Sequence, residues 1–538
     1  MATSSTTDGQ KWGRVLLCGG TDWLRLGRKD PKGTKVTDPS PDLASPHILR
    51  SLANIKAVSI HTSHSGCHAV VISLEGNAYL FGRNSNACLG VPSKTAFISE
   101  TAPRKLSPQK IGAEPGDRFV NAACGRNHTL LVSASGLVWA AGINNFGQCG
   151  QTQCAEVDSF KLVSGPWNGV DKSIKASAGV SFSLILTEGG KIYSFGSGAN
   201  GQLGNGRTGE HIITGNKTGY DAISEPTLVR DLGEKKITDI SCGQQHTIAM
   251  DIEGYVFVWG YNGYCRLGLG HQKDVMVPTL VPQFAGDNVL VRAEQIAAGP
   301  TNSVVIDRQK MYQMAGKWKN SGEGSTGQPY TTFKYIQDIM SCKILRAASG
   351  GVTHWCIAVD EDDDAVPSSP KLARTSPGKE APKPKTNVMT VAWGQNAFNC
   401  ELGFGEGEAK SATKPQRVAT LNGVEVFDIA AGQNTTFFIA VPGGAELPRH
   451  PEEVEHPEAC VVCSEDLGDD ELELECEKCD YPYHLKCLDP PMNEVPEGEW
   501  FCKRCMDEAD GDGPPSPVRK TGKRKGTADE EHAPRKKR

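Results

Sequence analysis

The sequence predicts an all-β protein: a seven-bladed propeller plus a small metal-stabilised cross-brace domain. Three observations carry that expectation. One supersecondary pattern returns at intervals of 52 to 64 residues, an orphaned half of it stands at each end of the repeating region, and seven of 18 cysteines crowd into 46 residues near the C-terminus.

The clearest copies of the repeat begin at Ala122-Ala123-Cys124-Gly125-Arg126-Asn127-His128-Thr129-Leu130 and Ile240-Ser241-Cys242-Gly243-Gln244-Gln245-His246-Thr247-Ile248. Each continues through a glycine turn to a second apolar run, Val138-Trp139-Ala140-Ala141-Gly142 or Phe257-Val258-Trp259-Gly260. Further copies start near Val58, Ile174, Glu294 and Leu345, with turn positions at Ser65, Gly179, Gly299 and Gly351. The apolar runs have strand length, and Glu75-Gly76, Ser135-Gly136 and Glu253-Gly254 supply hairpin turns. No helical periodicity competes in this region.

A sheet of about 50 residues cannot bury its own faces, and radial repetition solves that problem. The segment from Val426 to Ile439 is a first half without a second, and Val15-Leu16-Leu17-Cys18-Gly19 with Leu26-Gly27 is a second half without a first. Joined, they make a seventh unit whose pairing between the termini closes the ring and removes its sheet edges. The propeller is thereby placed at 11–442, after a disordered N-terminus at 1–10.

Composition agrees with a loop-rich folded chain: 538 residues with 60 Gly, 38% hydrophobic and 22% charged. No apolar run approaches the roughly 18 residues of a membrane span, and the polar start has no secretory pattern. An intracellular protein with no membrane partner is therefore expected. The 11 scattered cysteines read as small buried residues in a reducing compartment.

The repeat resembles that of the regulator of chromosome condensation family. It is most similar to the second type of that family, through Leu17-Cys18-Gly19, Leu26-Gly27-Arg28-Lys29, the Ala123 to Leu130 run and the Gly268 to Pro278 run with Gln272-Lys273-Asp274. The resemblance implies a rigid disc that binds partners, small GTPases and chromatin among them. The copy at Glu294 departs from it: Tyr312-Gln313-Met314-Ala315-Gly316 lacks the aromatic-Gly ending and no Leu-Gly follows. Ultraviolet-sensing plant relatives cluster tryptophans in Gly-Trp-Arg-His-Thr loops, whereas this chain has Gly-Arg-Asn-His and Gly-Gln-Gln-His, so that reading is rejected.

His68, His128, His246 and His354 share one repeat offset, but Phe182, Asn302 and Thr435 occupy it elsewhere. A position that accepts such unlike side chains fills space and makes hydrogen bonds between blades, and it is not expected to bind metal or catalyse. Two inserts interrupt the rhythm. Residues 205–225 are Gly- and Thr-rich and are a candidate binding wedge. Residues 361–386, acidic and then Pro-rich, are expected to be disordered.

The most specific signal is Cys460-x-x-Cys463, twelve residues, Cys476-x-x-Cys479, four residues, His484-x-x-Cys487, fourteen residues, Cys502-x-x-Cys505. Eight donors make two tetrahedral sulfur-rich sites, which zinc favours. A span so short has no adequate apolar core, so metal binding supplies the folding energy, on the order of 10–16 kcal/mol per site. With every coordination position filled by protein, a catalytic role for the two zinc ions is not expected.

Residues 454–508 closely resemble a PHD finger. That resemblance assigns Cys460, Cys463, His484 and Cys487 to the first zinc and Cys476, Cys479, Cys502 and Cys505 to the second. The RING finger is the alternative, although its histidine is usually the fourth ligand and here it is the fifth. PHD fingers add a histone H3 tail as an extra strand. The resemblance therefore implies a receiving strand at 471–475, with Glu465, Asp466, Asp469, Asp470, Glu471, Leu472, Leu474, Pro496, Gly498 and Trp500 as the peptide-binding set. Pro496-Glu497-Gly498 resembles the turn that captures the free amino terminus. Pro482 stands where members with a trimethyl-lysine cage place Trp, which favours unmodified lysine. The bland alternative is a solvated acidic surface.

Residues 443–453 read as a linker and 509–538 as a disordered basic tail. The last 28 residues carry nine Lys/Arg against four Asp/Glu. Lys523, Arg524 and Lys525, then Arg535, Lys536, Lys537 and Arg538, suit a bipartite nuclear import signal, with nonspecific DNA phosphate contact as the alternative. The expected function is that of a nuclear, chromatin-associated binding protein on the nucleosome, with the propeller as its interaction platform. Guanine nucleotide exchange on a small GTPase is the alternative, and a RING-type ubiquitin ligase a third. Apart from that exchange reading, no enzyme activity is expected, since no nucleophile-base pair, phosphate loop or cofactor fingerprint stands out.

Overall fold

The computed structural model describes residues 9–26, 42–167, 171–215, 217–317, 328–360, 387–465, 473–496 and 498–510. The insert at 361–386 and the import candidates from Lys523 to Arg538 lie outside these residues, as do residues 1–8.

Each repeat is an antiparallel sheet. In one blade Phe119–Cys124, His128–Ser133, Val138–Ile143 and Glu156–Leu162 lie side by side, with Val138 opposite Val132 and Gly142 opposite His128. The glycine ending this third strand is fixed by close approach. At Gly142, φ is +122° and a Cβ would fall 2.4 Å from the Asn127 carbonyl oxygen. Gly316 has the same need, with φ +95°, so the copy lacking the aromatic-Gly ending still builds a full blade, Ala293–Ala298, Asn302–Asp307, Tyr312–Gly316 and Tyr330–Tyr335.

Blades are welded by shared cores rather than by cores of their own. Phe119, Leu131 and Trp139 pack with Val70, Leu80 and Leu106 of the preceding blade, which is why one repeat cannot fold alone. His68, His128 and His246 reinforce the same seams. His68 Nε2 lies 3.0 Å from Thr129 Oγ1, His128 Nε2 3.0 Å from Ser183 Oγ, and His246 Nε2 3.1 Å from Ser303 Oγ. Eight of the 11 scattered cysteines are buried, and burial raises the thiols of Cys18, Cys124 and Cys356, as inert packing residues require.

The innermost strand of every blade carries a bulge after its first residue. Ser59, Asn121, Lys175, Asp239, Gln295, Arg346 and Asp428 follow these bulges and line a central channel of about 410 Å³. Its charges cancel locally, Lys175 pairing with Asp239 and Arg346 with Asp428 at 3.2 Å.

Seven blades close into a ring. In the last one Val426–Ala431 and Thr435–Ala440 from the C-terminal side join Arg14–Gly19 and Leu43–Leu49 from the N-terminal side, with Arg14 opposite Ala440 and Gly19 opposite Thr435. A fifth strand, Arg449–His450, lies parallel to Leu43–Leu49 on the outer edge. The insert at 205–225 forms a hairpin, His211–Ile213 paired with Lys217–Gly219, that presents Ile212 at 82% exposure. Among the described residues there is one α-helix, Lys503–Asp510, and no helix is long and apolar enough to cross a membrane.

Candidate zinc centres and the propeller seam

The eight donors are delivered by local turns. Ser464 N bonds the Cys460 carbonyl at 2.8 Å and Asp480 N bonds the Cys476 carbonyl at 2.8 Å. The residue after each second cysteine is left-handed, Ser464 at φ +61° and Asp480 at φ +52°. These two knuckles aim four sulfurs inward. His484 ends the strand Pro482–His484, Cys487 sits one short turn later, and Cys505 lies on the first turn of the helix that follows Cys502.

The sets interleave: Cys460, Cys463, His484 and Cys487 converge in one group and Cys476, Cys479, Cys502 and Cys505 in the other, with donor atoms within 4.8 Å of each other. Cys463 Sγ lies 3.3 Å and Cys487 Sγ 3.7 Å from His484 Nδ1, and Cys479 Sγ lies 3.9 Å from Cys502 Sγ. A tetrahedral ion with Zn–S bonds of about 2.3 Å holds sulfurs about 3.8 Å apart, so both clusters fit zinc. Backbone donors support the thiolates, His484 N to Cys460 Sγ at 3.5 Å and Cys502 N to Cys476 Sγ at 3.3 Å.

The rest of the core is small. Tyr483 and Trp500 meet edge to face with centroids 5.3 Å apart, beside Cys476, Cys502 and Cys505. Arg504 stacks over Tyr481 at 4.0 Å. The strand Glu473–Glu475 pairs with Pro482–His484 on one side, and among the described residues its other edge has no strand partner. Leu474 is buried, whereas Glu475 and Glu465 are exposed. Pro496 and Gly498 stand on either side of Glu497, with Gly498 at φ +94°. Asp466, Asp469, Asp470, Glu471, Leu472 and Glu497 lie outside the described residues.

The finger is bolted to the closing blade. Arg50, 5% exposed, donates to the Pro451 carbonyl at 2.8 Å and the Glu452 carbonyl at 3.0 Å, and pairs with Asp480. Asn54 Nδ2 donates to the carbonyl of the ligand Cys505 at 2.6 Å. Arg14 pairs with Glu499 at 2.6 Å, and Arg449 pairs with Glu477. Behind the fifth strand, His450 Nε2 lies 2.8 Å from Glu100 Oε1 while Trp23 Nε1 donates to Glu100 Oε2 at 2.6 Å. Burial pushes the Glu100 carboxyl up, but the His450 and Trp23 bonds outweigh it and hold its pKa below the ordinary value. Segment 443–453 is thus fastened along its length. No spacing in the sequence marks Arg14, Arg50 or Asn54, whose partners lie hundreds of residues away.

Fold and site define a closed propeller that carries a saturated, cross-braced zinc finger. Comparison with known proteins gives the family. The RCC1-like domain matches residues 13–367, and the PHD-finger matches residues 460–505. Protein RCC2 of Homo sapiens is 31% identical over 443 residues, spanning 80% of this chain and 76% of its own length, and Protein RCC2 homolog of Xenopus laevis is 30% identical over 445 residues, spanning 80% and 77%. The chain belongs to the RCC1-like family, with a PHD finger after the propeller. Among solved structures, human WBSCR16 aligns with a TM-score of 0.60 at 19% identity over 80% of this chain and 99% of its own. Yeast RCC1 (Prp20), solved with Kap60, aligns with a TM-score of 0.60 at 15% identity over 82% and 94%. At those identities the likeness is one of fold.

Proposed function

We propose that this protein is a nuclear, chromatin-associated binding protein whose PHD finger reads the amino-terminal tail of histone H3 with its lysine unmodified, while the propeller serves as interaction platform. The observation that carries this reading is the edge of Glu473–Glu475, which among the described residues has no strand partner, on a finger whose eight donors form two four-ligand clusters. An extended peptide adds to such an edge through main-chain bonds, and side-chain contacts then select it. Exposed Glu465 and Glu475 suit a basic tail. The aromatic rings nearby are engaged elsewhere, Tyr483 against Trp500 and Tyr481 beneath Arg504, and Pro482 offers no ring to a methylated ammonium.

The test is calorimetric titration of the whole chain with H3 peptides of residues one to fifteen. The unmodified peptide binds, and trimethylation of its fourth residue weakens binding at least fivefold. Equal or tighter binding of the trimethylated peptide contradicts the preference, and no binding of either contradicts H3 reading.

A second reading, nucleotide exchange on a small GTPase, has its own support. A yeast RCC1-type propeller, Prp20p, is described by its binding to Gsp1p and histones, and the exposed hairpin bearing Ile212 has the form of a wedge. Nucleotide-release assays with a panel of small GTPases test it: acceleration that Ile212→Asp abolishes supports exchange, and unchanged release across the panel rejects it.

A further inference from the structure

A cavity of about 570 Å³, within the size range of a small-ligand pocket, lies between the closing blade and the finger. On the finger side it is lined by Glu477, Gly498 and Glu499, and on the propeller side by Arg14, Arg449 and the 442–447 segment with Glu446. Its position is set by chain continuity. The strand Glu473–Glu475 runs directly into Glu477, whose N–H is bonded to the Trp500 carbonyl at 3.0 Å. The strand edge that lacks a strand partner among the described residues therefore reaches this cavity at its C-terminal end, through Glu477.

Charge decides what enters. The arginines are spoken for: Arg14 by Glu499, Arg449 by Glu477, and Arg50 by Asp480 and two carbonyls. Glu446 and Glu452 add two further carboxylates to the lining. Four carboxylates against three engaged guanidiniums favour a cationic group over a carboxylate. A peptide strand laid on the edge has one backbone cation, its terminal ammonium.

We propose that this cavity receives the amino-terminal end of the bound peptide, so that the propeller builds one wall of the reading site. This inference rests on the H3-reading proposal above. The wall is preorganised, because Arg50, Asn54 and the strand Arg449–His450 hold finger and blade in one arrangement. The reader is consequently composite: side chains of a seven-bladed scaffold screen the first residue of a peptide that the finger holds further along.

The experiment uses the whole zinc-loaded chain and an unmodified H3 peptide of residues one to twelve. Glu446 is exposed, so Glu446→Trp fills the cavity from its rim with little cost to packing, and Glu446→Gln removes the charge alone. The composite site predicts at least tenfold weaker binding for Glu446→Trp, a severalfold loss for Glu446→Gln, and unchanged zinc content and thermal unfolding in both. Hydrogen exchange on the wild type provides a reading that needs no variant: peptide slows amide exchange across 441–449. Wild-type affinity retained by Glu446→Trp, or unchanged exchange at 441–449 under saturating peptide, overturns the composite wall while H3 reading stands. Absence of binding to the wild type overturns both.

Discussion

Glu401 shows how one position in the repeat can be tuned. Gln148 and Gln202 occupy the equivalent turn in two other blades, where their side-chain oxygens accept from Phe146 N at 2.9 Å and Asn200 N at 2.7 Å. Glu401 accepts from Asn399 N at 3.0 Å in the same way, but burial raises its carboxyl to about 7. A carboxyl raised in the fold keeps a proton that the unfolded chain has released, so stability falls as pH climbs from the unfolded pKa toward 7. Glu401→Gln supplies the oxygen without the ionisation. It is expected to stabilise the propeller on the order of 1–2 kcal/mol at pH 8, with the gain fading by pH 5, as measured by thermal unfolding. The buried histidines act with the opposite sign. Burial lowers His68 to about 4 and His128 to about 3. The unfolded chain takes up those protons below about 6.5 and the fold does not. Stability is therefore full above that pH and is lost as pH falls toward 4. With several histidines against Glu401 and Asp428, whose carboxyl burial also raises, the melting temperature is expected to drop between pH 7 and pH 5, and a flat or rising profile contradicts that balance.

At the scale of elements, what the sequence reveals depends on how far apart the partners lie. The zinc ligands were legible because only two residues separate the members of each pair and the knuckle turns are local. The split blade was legible because two half-repeats face each other across the chain, Val426 to Ile439 and Val15 to Gly19, as the observed pairing of Arg14–Gly19 with Thr435–Ala440 bears out. The strand Arg449–His450 was not legible: two residues leave no periodicity, and its partner strand lies about 400 positions earlier. The channel bulges were equally hidden, since nothing in the strand pattern marks the positions of Asn121, Lys175 and Gln295. Arg50 carries the largest consequence of this blind spot. Removing it leaves the Pro451 and Glu452 carbonyls and Asp480 without their buried donor, and breaking such a pair costs roughly 3–5 kcal/mol. Arg50→Ala is expected to undock the finger: limited proteolysis within 443–453 accelerates at least tenfold while two zinc ions stay bound. Unchanged cleavage contradicts the clamp.

For the whole molecule, two folding strategies meet at one seam. The propeller is held by cores shared between blades, the finger by metal, and the seam joins them through the carbonyl of a zinc ligand, Cys505, and the residue after another, Asp480. A strong chelator is therefore expected to unfold residues 454–508 and release the 443–453 segment while the propeller keeps its far-ultraviolet β spectrum, with exchange protection across 443–453 falling as zinc leaves. Protection that survives zinc removal contradicts the coupling. The fixed geometry also gives one presentation of the finger relative to the disc, and under the proposed function this raises the effective concentration of a propeller contact once the finger is engaged. Under the proposed function the histone tail, engaged by the finger, directs the whole chain to chromatin. The most direct measurement compares binding of the intact protein to nucleosomes with complete H3 and to nucleosomes whose H3 lacks its amino-terminal tail, at one fixed salt concentration. Binding to the tailless particle is expected to be at least tenfold weaker, and equal affinity for the two contradicts recruitment through the tail.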